Sequence, residues 1–425
     1  GFITSEKAIL RARDRLLEQY GLDVLSVSDF ADQHDNDETS SLEFRSLTSP
    51  NAEISIVDGG SVSKVAVEAF FENIYSGKAL RDSFLKGRQG LAGVRCQVVL
   101  EAGNVVAMMT LKVERRARLA ASVKLVADES SGNAKAIVDG LLGKTCENLA
   151  QTAPAVIELE IFPGQPKTRE VILSLGFRPE DTKKTYSTVF HKISYGKVVT
   201  SHSWAEFRAD LIALAEIKLP EKIPSYCGAR QIIEYRDSDG TLKAVSISEL
   251  ETLLSPLILL LPDRHGVIVP IRRAFADDLL GTSDQLSLLG SHSASIHSSR
   301  VYYCKKTIQP DSVVIFYESS GGNGRSAAVA IAKVTQVREL TPAQIAVETN
   351  KIGVLHHSEL ERIGKSPRKL TVLCSSITKF NELVPYSKLC QLGCNNGARF
   401  VTATRIGYRE LLGVVSAGGS NGANR

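Results

Sequence analysis

The 425 residues, 43% hydrophobic and 23% charged, have the makeup of an ordinary globular protein long enough for two or three domains, which excludes a disordered or fibrous chain. Lys+Arg number 51 against 47 Asp+Glu, a formal charge of +4, so no global basic excess announces a nucleic-acid binder and any such partner must meet a local patch. The run Leu257 to Leu261 is stopped by Pro262, and no apolar stretch approaches the ~20 residues of a membrane span.

In chain order, Gly1 to Thr4, Glu6 to Tyr20 and Leu22 to Leu25 read as strand, helix and strand, with Gly21 as the helix stop. A short apolar pair followed by Glu6 and Lys7 is no signal peptide, and a start at Gly1 is expected of a truncated piece. The acidic, aperiodic stretch Ala31 to Ser41 reads as a linker.

From Phe44 to Ile193 the patterning predicts a strand at Phe44 to Leu47 and helices at Ser61 to Tyr75 and Ala79 to Lys86. A hairpin follows, Arg95 to Glu101 and Val105 to Val113, turning at Ala102-Gly103-Asn104. Next come a strand at Ser122 to Ala127, a loop from Asp128 to Gly132 and a helix at Asn133 to Gln151. A strand at Ala155 to Ile161, a helix at Pro166 to Leu175 closed by Gly176, and a strand at Tyr186 to Lys192 complete the unit.

Residues 196–262 read as a mixed connector with a helix at Trp204 to Ile217 and a hairpin around Asp237 to Gly240. Strands at Val267 to Ile271, Val301 to Lys305, Ser312 to Glu318, Ala327 to Val337 and Lys369 to Ser376 then predict a small β-barrel, with a turn at Gly321 to Gly324. Residues 416–425, rich in Gly, Ser and Asn, read as a disordered tail.

The seven cysteines form no CxxC pair, so no metal site is expected, and they read as the reduced thiols of a cytoplasmic protein. Cys390 and Cys394, with His356 and His357 upstream, fit packing better than metal ligation.

Strand, Gly-containing loop and helix at Val123 to Leu142 form an arrangement that can cradle a pyrophosphate, because a helix N-terminus presents free N–H groups and partial positive charge. The order of elements and the residues Glu129-Ser-Ser131-Gly132-Asn133-Ala134 resemble the Gln/Arg-x-x-Gly-x-Gly/Ala signature of the GNAT N-acetyltransferases. Leu175-Gly-Phe177 is similar to the end of that family's last helix. The resemblance covers roughly 150 residues. It implies a fold of class α/β (α+β), a mixed central sheet flanked by helices over 42–195, and acetyl-CoA held by Val126, Ala127, Glu129, Ser131, Gly132, Asn133, Ala134 and Lys135. The alternative for these residues is a generic α/β domain in which Gly132 is a turn and Asn133 an N-cap.

The same resemblance implies a carboxylate on a nearby strand as the base that frees the acceptor amine. Alternation puts Glu158 and Glu160 on one face, with Glu114 behind them. The family's usual Tyr acid corresponds to Ile172, and Tyr186 is the substitute candidate; both carboxylates and Tyr186 also admit solvated or packing roles.

Two flanking resemblances complete the reading. Phe2 to Glu6 and Leu22 to Phe30 resemble the closing strand-helix-strand of a PIN nuclease, making residues 1–35 a remnant in which Glu6 would be a metal-binding carboxylate. Val267 to Arg273, Ser299 to Tyr303 and Asp311 to Tyr317 resemble the PUA-like group that includes ASCH domains, over residues 263–415. That resemblance implies RNA or tRNA as partner, met by Arg272, Arg273, Arg300, Tyr302, Lys305 and Arg325; a solvated basic face with core tyrosines is the alternative. The function expected is N-acetyl transfer to an RNA-linked or protein amine, of toxin-antitoxin or RNA-modification type, with a second copy in a homodimer or a partner protein as candidate partners. A non-catalytic RNA-binding module and a part of a nuclease are the competing readings.

Overall fold

The structure, a computed structural model, describes residues 2–4, 24–26, 54–74, 78–90, 93–115, 119–180, 187–228, 230–273, 276, 280, 298–304, 308–320, 324–341, 344–345, 369–394 and 400–419. Two short strands, β1 (Phe2–Thr4) and β2 (Val24–Ser26), pair in parallel. Glu6, the linker from Ala31 and the strand expected at Phe44 to Leu47 lie outside the described residues.

The main sheet opens with β3 (Ile54–Asp58), which composition did not single out. Two helices follow, α1 (Lys64–Asn73) and α2 (Lys78–Gly87). Ser63 starts α1 by accepting from Ala66 N, so one of the orphan donors of the first turn is satisfied locally. The hairpin of β4 (Val94–Glu101) and β5 (Asn104–Arg115) turns at Ala102 and Gly103, and β6 (Leu119–Ala127) leads into α3 (Ala134–Thr152). Then come β7 (Ala155–Ile161), α4 (Pro166–Ser174), β8 (Arg178–Pro179) and β9 (Thr188–Ser194).

The strand order is β3-β4-β5-β6-β7-β9-β8, and β6 with β7 is the parallel pair, joined by the α3 crossover. Period-2 alternation sorts the two faces. Ile157, Leu159 and Ile161 of β7 meet Ile137, Leu141 and Leu149 of α3 and Val171 and Ile172 of α4. Cys96, Val98, Met108 and Val126 face the other way, beneath Phe70, Phe71 and Phe84 of α1 and α2. Each Phe buried there contributes roughly 1.5–3 kcal/mol. Phe162, just after β7, joins this cluster against Phe71 and Phe84, whereas no residue of β7 or β9 does so among the described residues.

Gly176 closes α4 at φ +86°, and a Cβ there would lie 2.3 Å from Thr252 O, so a side chain is barred by conformation and by space. This close approach docks the sheet on the following segment. The segment expected as a connector has a core of its own, built from α5 (Trp204–Ala215) and the hairpin β11 (Ile232–Arg236) and β12 (Leu242–Ser246). It also takes in α6 (Ile247–Leu253) and the parallel pair β10 (Val198–Val199) and β13 (Ile258–Leu259). Its apolar residues come in short pieces without a sustained period, which is why the pattern understated it.

The last sheet contains β14 (Gly266–Ile271), β15 (Arg300–Cys304), β16 (Val313–Glu318), β17 (Ala327–Leu340), β18 (Lys369–Pro385) and β19 (Thr404–Ile406). Their order is β15-β18-β17-β16-β14-β19. Register shifts along β17 and β18 curl the sheet, since each bulge adds bend and twist. The expected barrel is a curled half-barrel: among the described residues, β15 and β19 end the sheet. The helices α7 (Tyr386–Gln391) and α8 (Tyr408–Gly418) pack on one face through Leu389, Leu411 and Val414. Residues 416–418 of the tail expected over 416–425 instead continue α8 to a buried Gly418, because an apolar stripe outweighs local Gly and Ser content, and residues 420–425 lie outside the described residues. Among the described residues no helix is long and apolar enough to cross a membrane.

Candidate functional site

The parallel register of β6 and β7 ends at Leu125 opposite Ile161, so Val126 and Ala127 continue without a β7 partner. Gln165, before α4, bridges the opening by donating from Nε2 to Ala127 O at 2.6 Å. Beyond it the loop folds on itself. Asp128 Oδ1 accepts from Ser130 N at 2.8 Å and Ser130 Oγ at 2.7 Å, and Ser131 O accepts from Ala134 N at 3.3 Å.

Among the described residues, the backbone N–H groups of Gly132, Lys135 and Ala136 donate to no protein acceptor. A Cβ added at Gly132 would meet nothing within 4 Å, so the loop is open at that position. They stand at the N-terminus of a 19-residue helix, whose dipole favours an anion there.

Three carboxylates border this loop, and each is engaged by protein donors. Glu101, at the end of β4, accepts from Ser131 Oγ at 2.9 Å and from Asn133 Nδ2. Sequence reasoning missed Glu101, whose partners lie 30 and 32 residues away. Asn133 accordingly does not cap α3 with its side chain. Asp128 is used by Ser130 as above. Glu129, which departs from the Gln/Arg of the signature, accepts from Lys167 N at 2.8 Å, Thr168 N at 2.9 Å and Thr168 Oγ1 at 2.7 Å. It thereby caps α4, whose own N-cap residue Gln165 makes no side-chain cap. Lys167 Nζ returns the contact to Glu129 O, and Lys135 Nζ pairs with Glu170 at 2.6 Å. Val126 and Ala127 are buried at the strand end.

On the face of β7 opposite the α3 core, Glu158 is exposed and Glu160 half-buried beside buried Val189. Glu160 accepts from Ser187 Oγ at 2.6 Å and lies 3.3 Å from Lys124 Nζ, its register partner on β6. His191 stands opposite Glu158 and lies 3.0 Å from Glu180. Glu114 pairs with Lys112 at 2.8 Å. Ile172 is 0% exposed within the core, and Tyr186 lies outside the described residues.

The structure divides the residues expected to meet nucleic acid. Arg272 and Arg273 are exposed. Arg300 is 3% exposed, and burial draws its guanidinium below the ordinary value, so it is not a surface phosphate contact. Tyr302, half-buried, turns inward, donating its hydroxyl to Pro270 O at 2.8 Å and meeting Phe316 edge-on, so its ring is engaged with protein. Both corrections share one cause: on β15 strand alternation and the packing of β18 turn these side chains toward protein. Arg325 Nε lies 2.8 Å from Glu318, and Lys305 is outside the described residues. Burial pushes the Cys394 thiol up to about 11, in keeping with packing beside α8, while His356 and His357 lie outside the described residues.

No protein-family model matches the sequence, and no curated protein does. Among solved structures, the chain is similar to the ASCH protein of Zymomonas mobilis, at 8% identity and a TM-score of 0.28, over 36% of this chain and 94% of that one. It is similar to the N-acetyltransferase PseH of Campylobacter jejuni in complex with acetyl coenzyme A, at 12% identity and a TM-score of 0.25, over 33% and 98% of the two chains. It is also similar to the ribosomal-protein-S5-alanine acetyltransferase of Vibrio fischeri, at 14% identity and a TM-score of 0.27, over 33% and 93%. Likenesses this distant carry no argument about chemistry. The chain joins a helix-flanked mixed sheet to a curled half-barrel, and its structural neighbours are N-acetyltransferases and an ASCH domain.

Proposed function

We propose that the chain is an acyl-CoA-dependent N-acetyltransferase whose catalytic unit spans residues 42–195, followed by the segment 196–262 and a PUA-like unit at 263–415. The observation that carries this reading is the cradle before α3: undonated N–H groups of Gly132, Lys135 and Ala136 at the start of the helix, open space beside Gly132, and Glu101, Asp128 and Glu129 all turned to protein donors. An anion there meets amides, not carboxylates. A bound acyl-CoA supplies an electrophilic acyl carbon.

Glu160 is the base. Its carboxylate is aligned by Ser187 and Lys124, and removing a proton from the acceptor ammonium creates the nucleophile. Glu158, on the same face and more exposed, contributes negative potential that draws in a cationic amine. Ile172 offers no acid, and none is demanded, because a thiolate with an ordinary pKa of about 8.5 is a competent leaving group.

The acceptor is an amine on an RNA-linked or protein substrate. Arg272 and Arg273 remain as exposed cations that support RNA, whereas Arg300 and Tyr302 are withdrawn from that role. The parallel pairing of β1 with β2 is compatible with the PIN-like remnant at 1–35.

Calorimetric titration of acetyl-CoA into the full chain and a Gly132→Glu variant tests the reading. Micromolar binding that the variant loses supports the site and leads to amine and RNA screens. Absence of binding in the unaltered chain refutes it and leaves the recognition-module reading.

A further inference from the structure

Where α3, the end of α4, α6 and the bulged β17 and β18 meet, they enclose a cavity of about 250 Å³ distinct from the α3 cradle. That is below the range of about 300–1,000 Å³ typical of pockets that hold a drug-sized ligand or cofactor, so the occupant is small.

The charges around the cavity do not balance at one place. Glu251, 1% exposed, is matched by Arg264 and by Lys333 Nζ at 2.8 Å. Asp139 accepts from Ser298 N at 3.0 Å and Ser298 Oγ at 2.6 Å, and Glu147 lies 3.6 Å from Lys144. Lys192 is different. It is 4% exposed, and its Nζ donates to neutral oxygens, Leu175 O at 2.6 Å, Thr252 O at 2.9 Å, Leu253 O at 3.1 Å and Ser255 Oγ at 3.1 Å, and stands 5.7 Å from the centre of the Phe177 ring. No described carboxylate pairs with it, so a buried ammonium borders the cavity without a counter-charge.

The same cavity also has hydroxyl donors in its lining. The hydroxyls of Ser299, Ser375 and Ser376 line the cavity and have no partner among the described residues. Ser376 is 7% exposed and is held at φ +52°, a left-handed conformation that a non-glycine residue adopts at a cost and that a bulge here enforces. A cation with no carboxylate partner and unpartnered hydroxyls in the lining of one cavity suit an oxyanion rich in acceptor oxygens. We propose that this junction cavity binds a phosphate group, presented as free phosphate or as a small phosphomonoester, between Lys192 and the hydroxyls of Ser375 and Ser376. Occupancy would tie the main sheet to the half-barrel.

The test is calorimetric titration of inorganic phosphate, and separately of AMP, into the full chain at low salt, beside Ser376→Gly, Lys192→Met and Gly132→Glu variants. Ser376→Gly removes the hydroxyl while suiting the left-handed backbone, so its folding is not at risk. Phosphate binding weakened at least tenfold in Ser376→Gly and unaffected by Gly132→Glu supports the site. AMP binding with the same sensitivity assigns a phosphomonoester, and phosphate alone assigns the free ion. Absence of binding, binding in Ser376→Gly or Lys192→Met equal to that of the unaltered chain, or loss confined to Gly132→Glu overturns the proposal.

Discussion

Replacing Glu129 by Ala removes the acceptor for Lys167 N, Thr168 N and Thr168 Oγ1 at once, and α4 has no cap of its own to fall back on. Loss of an N-cap costs about 1 kcal/mol, and loss of a negative charge at a helix N-terminus a further 0.3–1 kcal/mol, roughly, for a half-exposed group. The expected destabilisation is therefore about 1.5–2 kcal/mol. For a unit of this size that lowers Tm by roughly 3–8 °C, at about 2–4 °C per kcal/mol. Glu129→Gln keeps an acceptor oxygen and loses the charge, so its cost is about 0.5–1 kcal/mol. Urea unfolding followed by circular dichroism, with acetyl-CoA affinity measured on the same samples, separates the roles. The capped helix also fixes the loop that leads to Gly132, so both variants weaken acetyl-CoA in the order of their destabilisation. Variants indistinguishable from the unaltered chain in midpoint would refute the long-range cap.

Glu160→Gln is expected to lower kcat by a factor of about 10²–10⁴ and to remove the acidic limb of the pH–rate profile, whereas Glu158→Gln stays within a few-fold; the reverse ranking would move the base to Glu158. Burial draws the Lys192 ammonium down to about 8 from an ordinary 10.5, so the unfolded chain binds the extra proton between those pH values and stability rises with pH across that window. The gain is about 3 kcal/mol at most, read as the growing difference between the unaltered chain and Lys192→Met in urea melts from pH 7.5 to 10; a difference constant with pH would count against it. Ile172→Tyr, which would restore the family's usual side chain, is expected to overpack the core by about 1–3 kcal/mol and leave kcat unimproved, because that position is sealed between α3 and the sheet.

The features that could be read directly were those written in local pattern. Alternation at Ala155 to Ile161 specified β7 and placed Glu158 and Glu160 on one face. The Ala102-Gly103 turn, the Gly132 loop and Gly176 punctuated the elements between them, since each requirement involves neighbours within a few residues. By the same logic the sequence alone carried the order strand, loop, helix that makes an anion cradle. It could not reveal that Glu101 reaches Ser131, that Glu129 caps a helix 38 residues later, or that Lys192 joins α4 to α6. Nor could it tell buried Arg300 from exposed Arg272, since both read simply as basic residues near strands. Those outcomes depend on which surfaces pack together, and a side chain's partner across a sheet or a domain junction is decided by tertiary proximity, which local propensity does not encode.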